Sequence, residues 1–275
     1  MNRTELCTCL IKELEQHRSY QQNFPESIIS FFQKRFIDIE HASKYTEVFQ
    51  YYNAAIFSAF RKKYTDNVLI STGLMRNSTS FYWIGSEYAL LFPCWYLNET
   101  RWFVTGIRAR YTGAQEEVEA KEVEIPLPES LKKLNFPSAV GWYGLKYWSQ
   151  IYPEVLNQCE NLNVIIVEGV MDMLAAMEII MADKTIILTT GILSRTFHSI
   201  NIELIAKCKV MFIAFDDDFS AKKNTGQCSA SALKAHLNEL GMQQVEIFPK
   251  KFYQGQKDFN DLLRFIKKDH LGNGL

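Results

Sequence analysis

The sequence predicts an α/β fold, in which a Rossmann-like domain with a mostly parallel sheet follows a helical and mixed α+β region. Two observations predict the sheet. Short apolar runs occupy residues 163–167, 185–189 and 210–215, and stretches with helical periodicity alternate with them. Apolar runs of this length that alternate with helices are typical of parallel strands, because helices cover both faces of such a sheet.

The same alternation continues to the end of this predicted domain, which we assign to residues 161–270. Gly241 is typical of a helix end, because glycine adopts the left-handed conformation found there at little cost. The further predicted elements are a strand at residues 243–248 and helices at 171–182, 198–207, 226–240 and 258–268.

The first predicted part, residues 1–66, is helical. Leu6 and Leu10 recur at helical spacing, and Pro25 suits the first turn of a second helix. We expect the last helix of this part at residues 44–63, which end in a run of basic side chains.

The second predicted part, residues 67–160, mixes strands and helices. Residues 88–96 and 101–110 are rich in β-forming side chains, and the polar residues 98–100 between them suit a hairpin turn. A helix is expected at residues 143–156. A boundary near the end of this part then separates it from the α/β domain.

The composition is that of an ordinary globular protein, with 47% hydrophobic and 22% charged residues among 275. The formal net charge of −1 gives no support to nucleic-acid binding by the whole chain, so any basic surface must be local. No apolar stretch approaches the ~18–20 residues of a membrane span, so we predict no membrane partner and a cytoplasmic location. The six cysteines include no Cys-x-x-Cys pair, which argues against a zinc site.

Acidic side chains follow two of the predicted strands. Glu168 comes directly after the first strand, and Asp216 and Asp218 come directly after the third. The carboxyl ends of parallel strands are where such sheets bind ligands, and carboxylates suit Mg²⁺ or Mn²⁺. Acidic residues also cap helices and turns, so the pattern alone leaves both a metal site and a solvated turn open.

These residues resemble the two signatures of the Toprim fold, Glu168-Gly169-x-x-Asp172 and Asp216-x-Asp218. DnaG-type primases, topoisomerases, OLD-type nucleases and recombination-mediator proteins share that fold. Further segments resemble DnaG-type primases and occur in the same order along the chain, namely residues 91–93, 105–110, 132–137, 142–145 and 257–263.

The resemblance implies a role for each matching residue. It implies that Glu168, Asp216 and Asp218 bind the catalytic Mg²⁺ or Mn²⁺ ions, with Asp172 beside them. It implies supporting roles near the metal site for Gly169, Asp258 and Asp261. It also implies that nucleotide or nucleic-acid phosphates approach Arg110, Lys132 and Lys133. Asp258 also suits a helix N-cap.

Two departures from the primase pattern bear on nucleotide binding. Ala89 and Leu90 stand where the family has an arginine, which puts nucleotide contacts there in doubt. The loop after Asp218 is longer than in the family, and its Lys222 and Lys223 either contact phosphate or are merely solvated.

The implied activity is DNA-dependent synthesis of RNA primers by two-metal nucleotidyl transfer, with single-stranded DNA and ribonucleotides as partners. No segment resembles the zinc domain of cellular primases. We therefore expect a primase core from a phage or other mobile element, which relies on its helical N-terminus, a replicative helicase or a separate template-recognition protein. The alternatives are a metal-dependent Toprim nuclease and a non-catalytic replication accessory or binding protein.

Overall fold

The computed structural model divides the chain into two compact units. The first comprises residues 1–31 and 45–141, and the second comprises residues 32–44 and 142–275. The three-part division of the sequence at residues 66 and 160 stays a prediction. The structure describes residues 2–20, 24–45, 47–81, 87–113, 121–124, 142–156, 159–180, 182–189, 205, 207–218 and 224–272.

The first unit is built on an antiparallel sheet in the order β1-β4-β5-β6, with a separate β2-β3 pair. The strands are β1 (Gln50–Tyr51), β2 (Met75–Asn77), β3 (Ser80–Phe81), β4 (Leu90–Asn98), β5 (Arg101–Arg110) and β6 (Glu122–Glu124). The described helices that begin before residue 142 are α1 (Arg3–Tyr20), α2 (Glu26–Gln33), α3 (Ile39–Ser43), α4 (Ala54–Lys63) and α5 (Asp66–Ser71).

Helix α1 covers the sheet with the apolar face that the sequence predicts. Leu6 and Leu10 are fully buried in a core that also contains Trp95 of β4. The hydroxyl of Thr8 accepts a hydrogen bond of 2.7 Å from the backbone N–H of Val104, which ties the helix to β5. The predicted helix and its buried face are confirmed.

The β4–β5 hairpin also agrees with the sequence. Asn98 and Arg101 pair across it, so the turn contains two residues. The first of them, Glu99, has a φ of 54°, within the left-handed region that two-residue hairpin turns require. The predicted hairpin is confirmed.

The helix expected at residues 44–63 is wrong in its first half. Gln50 and Tyr51 form strand β1 and pair with the start of β4. Helix α4 begins only at Ala54, because the Asn53 side chain accepts a hydrogen bond of 3.1 Å from the N–H of Ile56 and caps the helix. Strand pairing between distant segments overrides the local helical pattern here.

The second unit contains a parallel sheet in the order β10-β9-β7-β8. Its strands are β7 (Asn163–Val167), β8 (Thr185–Leu188), β9 (Val210–Ala214) and β10 (Val245–Ile247). Its described helices are α3, α6 (Leu145–Ile151), α7 (Val170–Ile179), α8 (Thr225–Glu239) and α9 (Phe259–Gly272), with 3₁₀ turns at Pro153–Leu156 and Lys250–Tyr253. Among the described residues, no helix has both the length and the apolar character that crossing a bilayer demands.

The predicted strands and helices of the α/β domain are confirmed within a few residues at each end. The predicted helix at residues 198–207 is the exception, since it lies largely outside the described residues. Gly241 follows helix α8 with a φ of 88°, as a helix-ending glycine does.

A close approach between helix α8 and the end of β9 fixes the backbone of Asp216. A Cβ atom at Gly226 would lie 2.2 Å from the carbonyl oxygen of Asp216, much closer than any van der Waals contact. Glycine at this buried position lets the first turn of the helix pack directly on the strand end. The amide of Asn224 caps the same helix by accepting a hydrogen bond of 3.2 Å from the N–H of Gln227.

Replacing Gly226 with alanine is expected to destabilise the protein by about 1–3 kcal/mol, because the methyl group forces the helix away from Asp216. Urea unfolding followed by circular dichroism measures this change. Cys228→Ala, at an exposed position of the same helix, is the matched control and should stay within about 0.5 kcal/mol of the parent. Equal unfolding midpoints for Gly226→Ala and the parent would show that the approach is not tight.

Candidate metal centre

Two neighbouring strands of the parallel sheet deliver acidic side chains to the same edge. Val167 at the end of β7 pairs with Ala214 at the end of β9, so the residues that follow emerge side by side. The backbone N–H of Asp216 donates a hydrogen bond of 3.3 Å to Glu168 Oε2. The structure therefore brings Glu168 and Asp216 into contact.

Among the described residues, Asp172, Asp216 and Asp258 form a tight acidic cluster. One carboxylate oxygen from each lies within 4.8 Å of the other two. Asp172 comes from the first turn of α7, Asp216 follows β9, and Asp258 directly precedes α9. Three separate segments of the chain thus converge on one point.

Backbone N–H groups at the start of α9 hold two of these acids. Asp258 Oδ1 accepts a hydrogen bond of 2.7 Å from the N–H of Asp261, so Asp258 caps the helix as its sequence position suggests. The N–H of Asn260 donates to the Asp172 carboxylate. The same carboxylates therefore complete the helix start and point into the acidic cluster.

Gly169 leaves room for the Asp172 side chain. A Cβ atom at Gly169 would lie 3.2 Å from Asp172 Oδ2, so any larger residue would press on the carboxylate. The backbone of Gly169 is extended, with a φ of −128°, and needs no glycine for its conformation. Gly169 therefore supports the site by leaving space for the Asp172 carboxylate.

A lysine contacts two of the three aspartates that follow β9. Lys257 Nζ is 2.9 Å from Asp216 Oδ2 and 3.0 Å from Asp218 Oδ1. Its backbone carbonyl accepts a hydrogen bond of 2.8 Å from the N–H of Asp217, which joins the strand end to the start of α9. The sequence interpretation gave Lys257 no role, although a basic residue next to Asp258 was a signal that could have identified it.

Burial and mutual repulsion favour protonation of the clustered acids. Burial, followed by the negative charge of Asp216, raises the pKa of Glu168 to about 7. Burial likewise raises the pKa of Asp258 to about 6, against the hydrogen bond from the Asp261 N–H. The pKa of Asp172 is raised well above its usual range by burial and by the charge of Asp258.

Lys257 and Asp216 illustrate two opposing effects on one ion pair. Burial raises the pKa of Asp216 and outweighs the hydrogen bond from Lys257 that lowers it. Burial also lowers the pKa of Lys257, but hydrogen bonds to Asp216 and Asp218 outweigh it and raise that pKa overall. The lysine is therefore a stable cation within the acidic group.

The groups around the cluster fit a hard divalent cation. Carboxylate oxygens at this separation are the ligands that Mg²⁺ and Mn²⁺ prefer. The hydroxyl of Tyr253 and Nδ2 of Asn260 are buried and find no hydrogen-bond partner among the described residues. Tyr253 is only 2% exposed, and burial followed by the charge of Asp172 raises the pKa of its phenol, so it remains a donor suited to water around an ion.

Asp218, Asp261 and Arg110, which the sequence also predicts, are not members of the tight cluster. Asp218 contacts Lys257, and Asp261 lies 3.5 Å from Arg264 in the first turn of α9. Arg110 belongs to the first unit, where it donates a hydrogen bond of 3.0 Å to Glu122. The predicted phosphate-contacting residues that lie outside the described part of the chain are Lys132, Lys133, Lys222 and Lys223.

The C-terminal part of the chain matches a known domain family. Residues 163–267 match the family model described as the Toprim domain, which covers less than half of the chain. No curated protein matches the sequence significantly.

Solved structures share the fold of this chain. The RNA polymerase domain of Mycobacterium tuberculosis primase DnaG aligns with a TM-score of 0.59 and 16% identity, over 94% of this chain and 82% of that one. The zinc-binding and RNA polymerase domains of Aquifex aeolicus primase align with a TM-score of 0.64 and 15% identity, over 99% of this chain and 61% of that one. A DnaG primase catalytic domain bound to ssDNA aligns with a TM-score of 0.62 and 19% identity, over 95% of this chain and 77% of that one. These matches confirm the predicted fold class and the resemblance to DnaG-type primase cores.

The raised carboxyl pKa values make the metal-free protein less stable as pH rises from about 4 to about 7. In this range the folded protein holds protons that the unfolded chain releases, so deprotonation favours unfolding. Glu168→Gln should reduce the loss of unfolding free energy between pH 5 and 7.5 by about 1–2 kcal/mol, after allowance for partial solvent screening. Urea unfolding in the presence of EDTA, at several pH values, measures this change in unfolding free energy.

The control for this experiment is Glu246→Gln, which removes an exposed glutamate from strand β10 of the same sheet. This variant should keep the pH dependence of the parent. An unchanged pH dependence in Glu168→Gln would contradict the raised pKa of Glu168.

Proposed function

We propose that this chain, which contains a Toprim domain and resembles DnaG-type primase cores in fold, synthesises RNA primers on single-stranded DNA. The proposed activity is that of a nucleotidyltransferase, a DNA-directed RNA polymerase with ribonucleotides as substrates and Mg²⁺ or Mn²⁺ as cofactor. The observation that carries the proposal is the convergence of Asp172, Asp216 and Asp258, with Glu168 against Asp216, at the carboxyl edge of a parallel sheet.

Each acidic residue has a proposed role in this chemistry. A divalent cation bound there would supply Lewis-acid activation of a 3′-hydroxyl and would neutralise charge on the triphosphate. Asp172, Asp216 and Asp258 would hold it, and Glu168 and Asp218 would complete the acidic surface around it. Helix α9 orients two of these carboxylates through its first N–H groups, so the ligands are fixed before substrate arrives.

The proposal assigns phosphate contacts to basic residues outside the acidic cluster. In the structure the Arg110 guanidinium lies near Glu122, as does that of Arg108 at 3.6 Å. An incoming phosphate would have to compete with Glu122 for Arg110, which would tie nucleotide binding to the β5–β6 pairing. The other residues proposed to contact phosphates are Lys132, Lys133, Lys222 and Lys223.

Two further parts of the hypothesis concern the origin and the protein partners of this chain. A mobile-element origin and a helicase or template-recognition partner both stay predictions from the sequence. The solved DnaG catalytic domain bound to ssDNA supports the choice of template class by its likeness in fold.

Asp216→Asn should lower primer synthesis by a factor of about a hundred or more, because it removes a charge that contacts the proposed ion. The assay incubates the full chain with single-stranded DNA, labelled ribonucleotides and Mg²⁺ and resolves labelled oligoribonucleotides on a gel. Asp183→Asn, which changes an exposed aspartate of the same unit, is the matched control and should retain the parent activity.

Other outcomes of this assay discriminate between the hypotheses. A shortened template without labelled product would favour the nuclease alternative. Equal primer synthesis by Asp216→Asn and Asp183→Asn would exclude a catalytic role for the acidic cluster.

A further inference from the structure

We propose that Lys267 is a positioning residue for the metal centre, although it lies near the far ends of the helices that bring the acids together. It joins helices α7 and α9 to each other and to the turn between helices α2 and α3. These connections fix the separation between Asp172, in the first turn of α7, and Asp258, directly before α9. The inference deepens the proposed function and rests on its metal centre.

Lys267 connects the two helices through an ion pair. Its Nζ contacts Oε1 of Glu178, which lies in the last turn of α7. The side chain of Glu178 is 12% exposed and that of Lys267 is 33% exposed. A partly buried ion pair keeps its geometry better than an exposed one, because water competes less for either charge. The pair therefore fixes where α9 lies along α7, the helix on which it packs.

The turn between α2 and α3 completes the network through its backbone. The carbonyl of Phe36 accepts a hydrogen bond of 2.7 Å from Lys267 Nζ. The N–H of Asp38 donates one of 3.0 Å to Glu178 Oε2, the carboxylate oxygen next to the one that Lys267 contacts. We call Phe36, Asp38, Glu178 and Lys267 the helix clamp. Residues 32–44 belong to the same compact unit as α7 and α9, so the whole clamp lies within that unit.

The backbone conformation of Phe36 is unfavourable by itself. Its φ of 59° lies in the left-handed region, which residues other than glycine adopt at a cost in free energy. The N–H of Phe36 donates to the carbonyl of Gln33, and the N–H of Ile37 donates to that of Phe32, so this turn ends helix α2. Such strain persists where other contacts stabilise it, and the hydrogen bond from Lys267 is one of these contacts.

The helix clamp lies away from the acids, so it acts on them through the two helices. At 1.5 Å per helical residue, Glu178 is about 9 Å along α7 from Asp172, and Lys267 is about 13 Å along α9 from Asp258. The N–H of Asn260 in α9 donates to the Asp172 carboxylate, which joins the starts of the same helices. A shift of α9 along α7 would therefore change both this hydrogen bond and the separation of the two acids.

Positioning and charge predict opposite effects of removing Lys267. A positive charge near a cation site weakens cation binding by repulsion, so loss of the charge alone would strengthen binding. Loss of the clamp lets the two helices shift and leaves the carboxylates less well placed for a cation, which weakens binding. The direction of the change in metal affinity therefore identifies the role of this lysine.

The test measures the Mn²⁺ concentration that half-saturates the full chain, by electron paramagnetic resonance of free Mn²⁺ without substrate or template. Lys267→Met removes the ammonium and should raise this concentration about fivefold or more. Lys267→Arg keeps a cationic donor for both Phe36 and Glu178 and should restore most of the affinity.

The matched control is Lys268→Met, which removes the same charge from the next, exposed position of α9. Lys268 Nζ lies 5.7 Å from the centre of the Phe36 ring, so the control also removes a contact to Phe36 but leaves the helix clamp intact. This variant should bind Mn²⁺ as tightly as the parent or more tightly.

Urea unfolding of each metal-free variant separates positioning from stability. A lower unfolding free energy of Lys267→Met, with unchanged or tighter Mn²⁺ binding, would show a merely structural residue and overturn the inference. The metal centre itself would then stand. Equal weakening of Mn²⁺ binding by Lys268→Met would also overturn the inference, because the effect would not be specific to the clamp.

Two further outcomes are decisive. No bound Mn²⁺ in the parent would remove the metal centre and with it both proposals. If Lys267→Met does not fold, Lys267→Gln takes its place, because its polar side chain tolerates partial exposure while the clamp charge is still lost. Weaker Mn²⁺ binding by folded Lys267→Gln would support the inference, and unchanged or tighter binding would overturn it.

Discussion

Carboxylates crowded at one edge of the parallel sheet repel one another, and this repulsion constrains the second unit of the protein. Asp172, Asp216 and Asp258 converge within 4.8 Å, with Glu168 in contact with Asp216. Burial raises the pKa values of these groups, and Lys257 places a positive charge against Asp216. A folded state of this kind gains from any bound cation, because the ion removes both repulsion and the cost of buried charge.

Close backbone packing makes this convergence possible. Gly226 lets helix α8 contact the carbonyl of Asp216, and Gly169 leaves space for the carboxylate of Asp172. Helix α9 packs against α7 and offers its first N–H groups to Asp172 and Asp258. The site is therefore a product of helix placement around the strand ends, and it inherits its precision from rigid elements.

The sequence predicts much of this arrangement but does not specify which of the predicted acids lie closest together. Strand β7 has the bounds predicted from its apolar run, and acids after two such runs had to meet at one sheet edge. Asp258 as a member of the tight cluster depends on how α9 packs against α7, which spacing along the chain does not specify. For the same reason the sequence does not predict the contact of Lys257 with Asp216 or the buried hydroxyl of Tyr253. The pairing of Gln50 in β1 also depends on a distant segment of the chain.

The central claim is that acids from three separate segments bind one hard cation. A crystal structure grown with Mn²⁺ tests it most directly, through the anomalous signal of the metal. The account predicts a peak about 2.0–2.2 Å from oxygens of Asp172, Asp216 and Asp258. A well-ordered site with no anomalous peak among these three carboxylates, at saturating Mn²⁺, would contradict it.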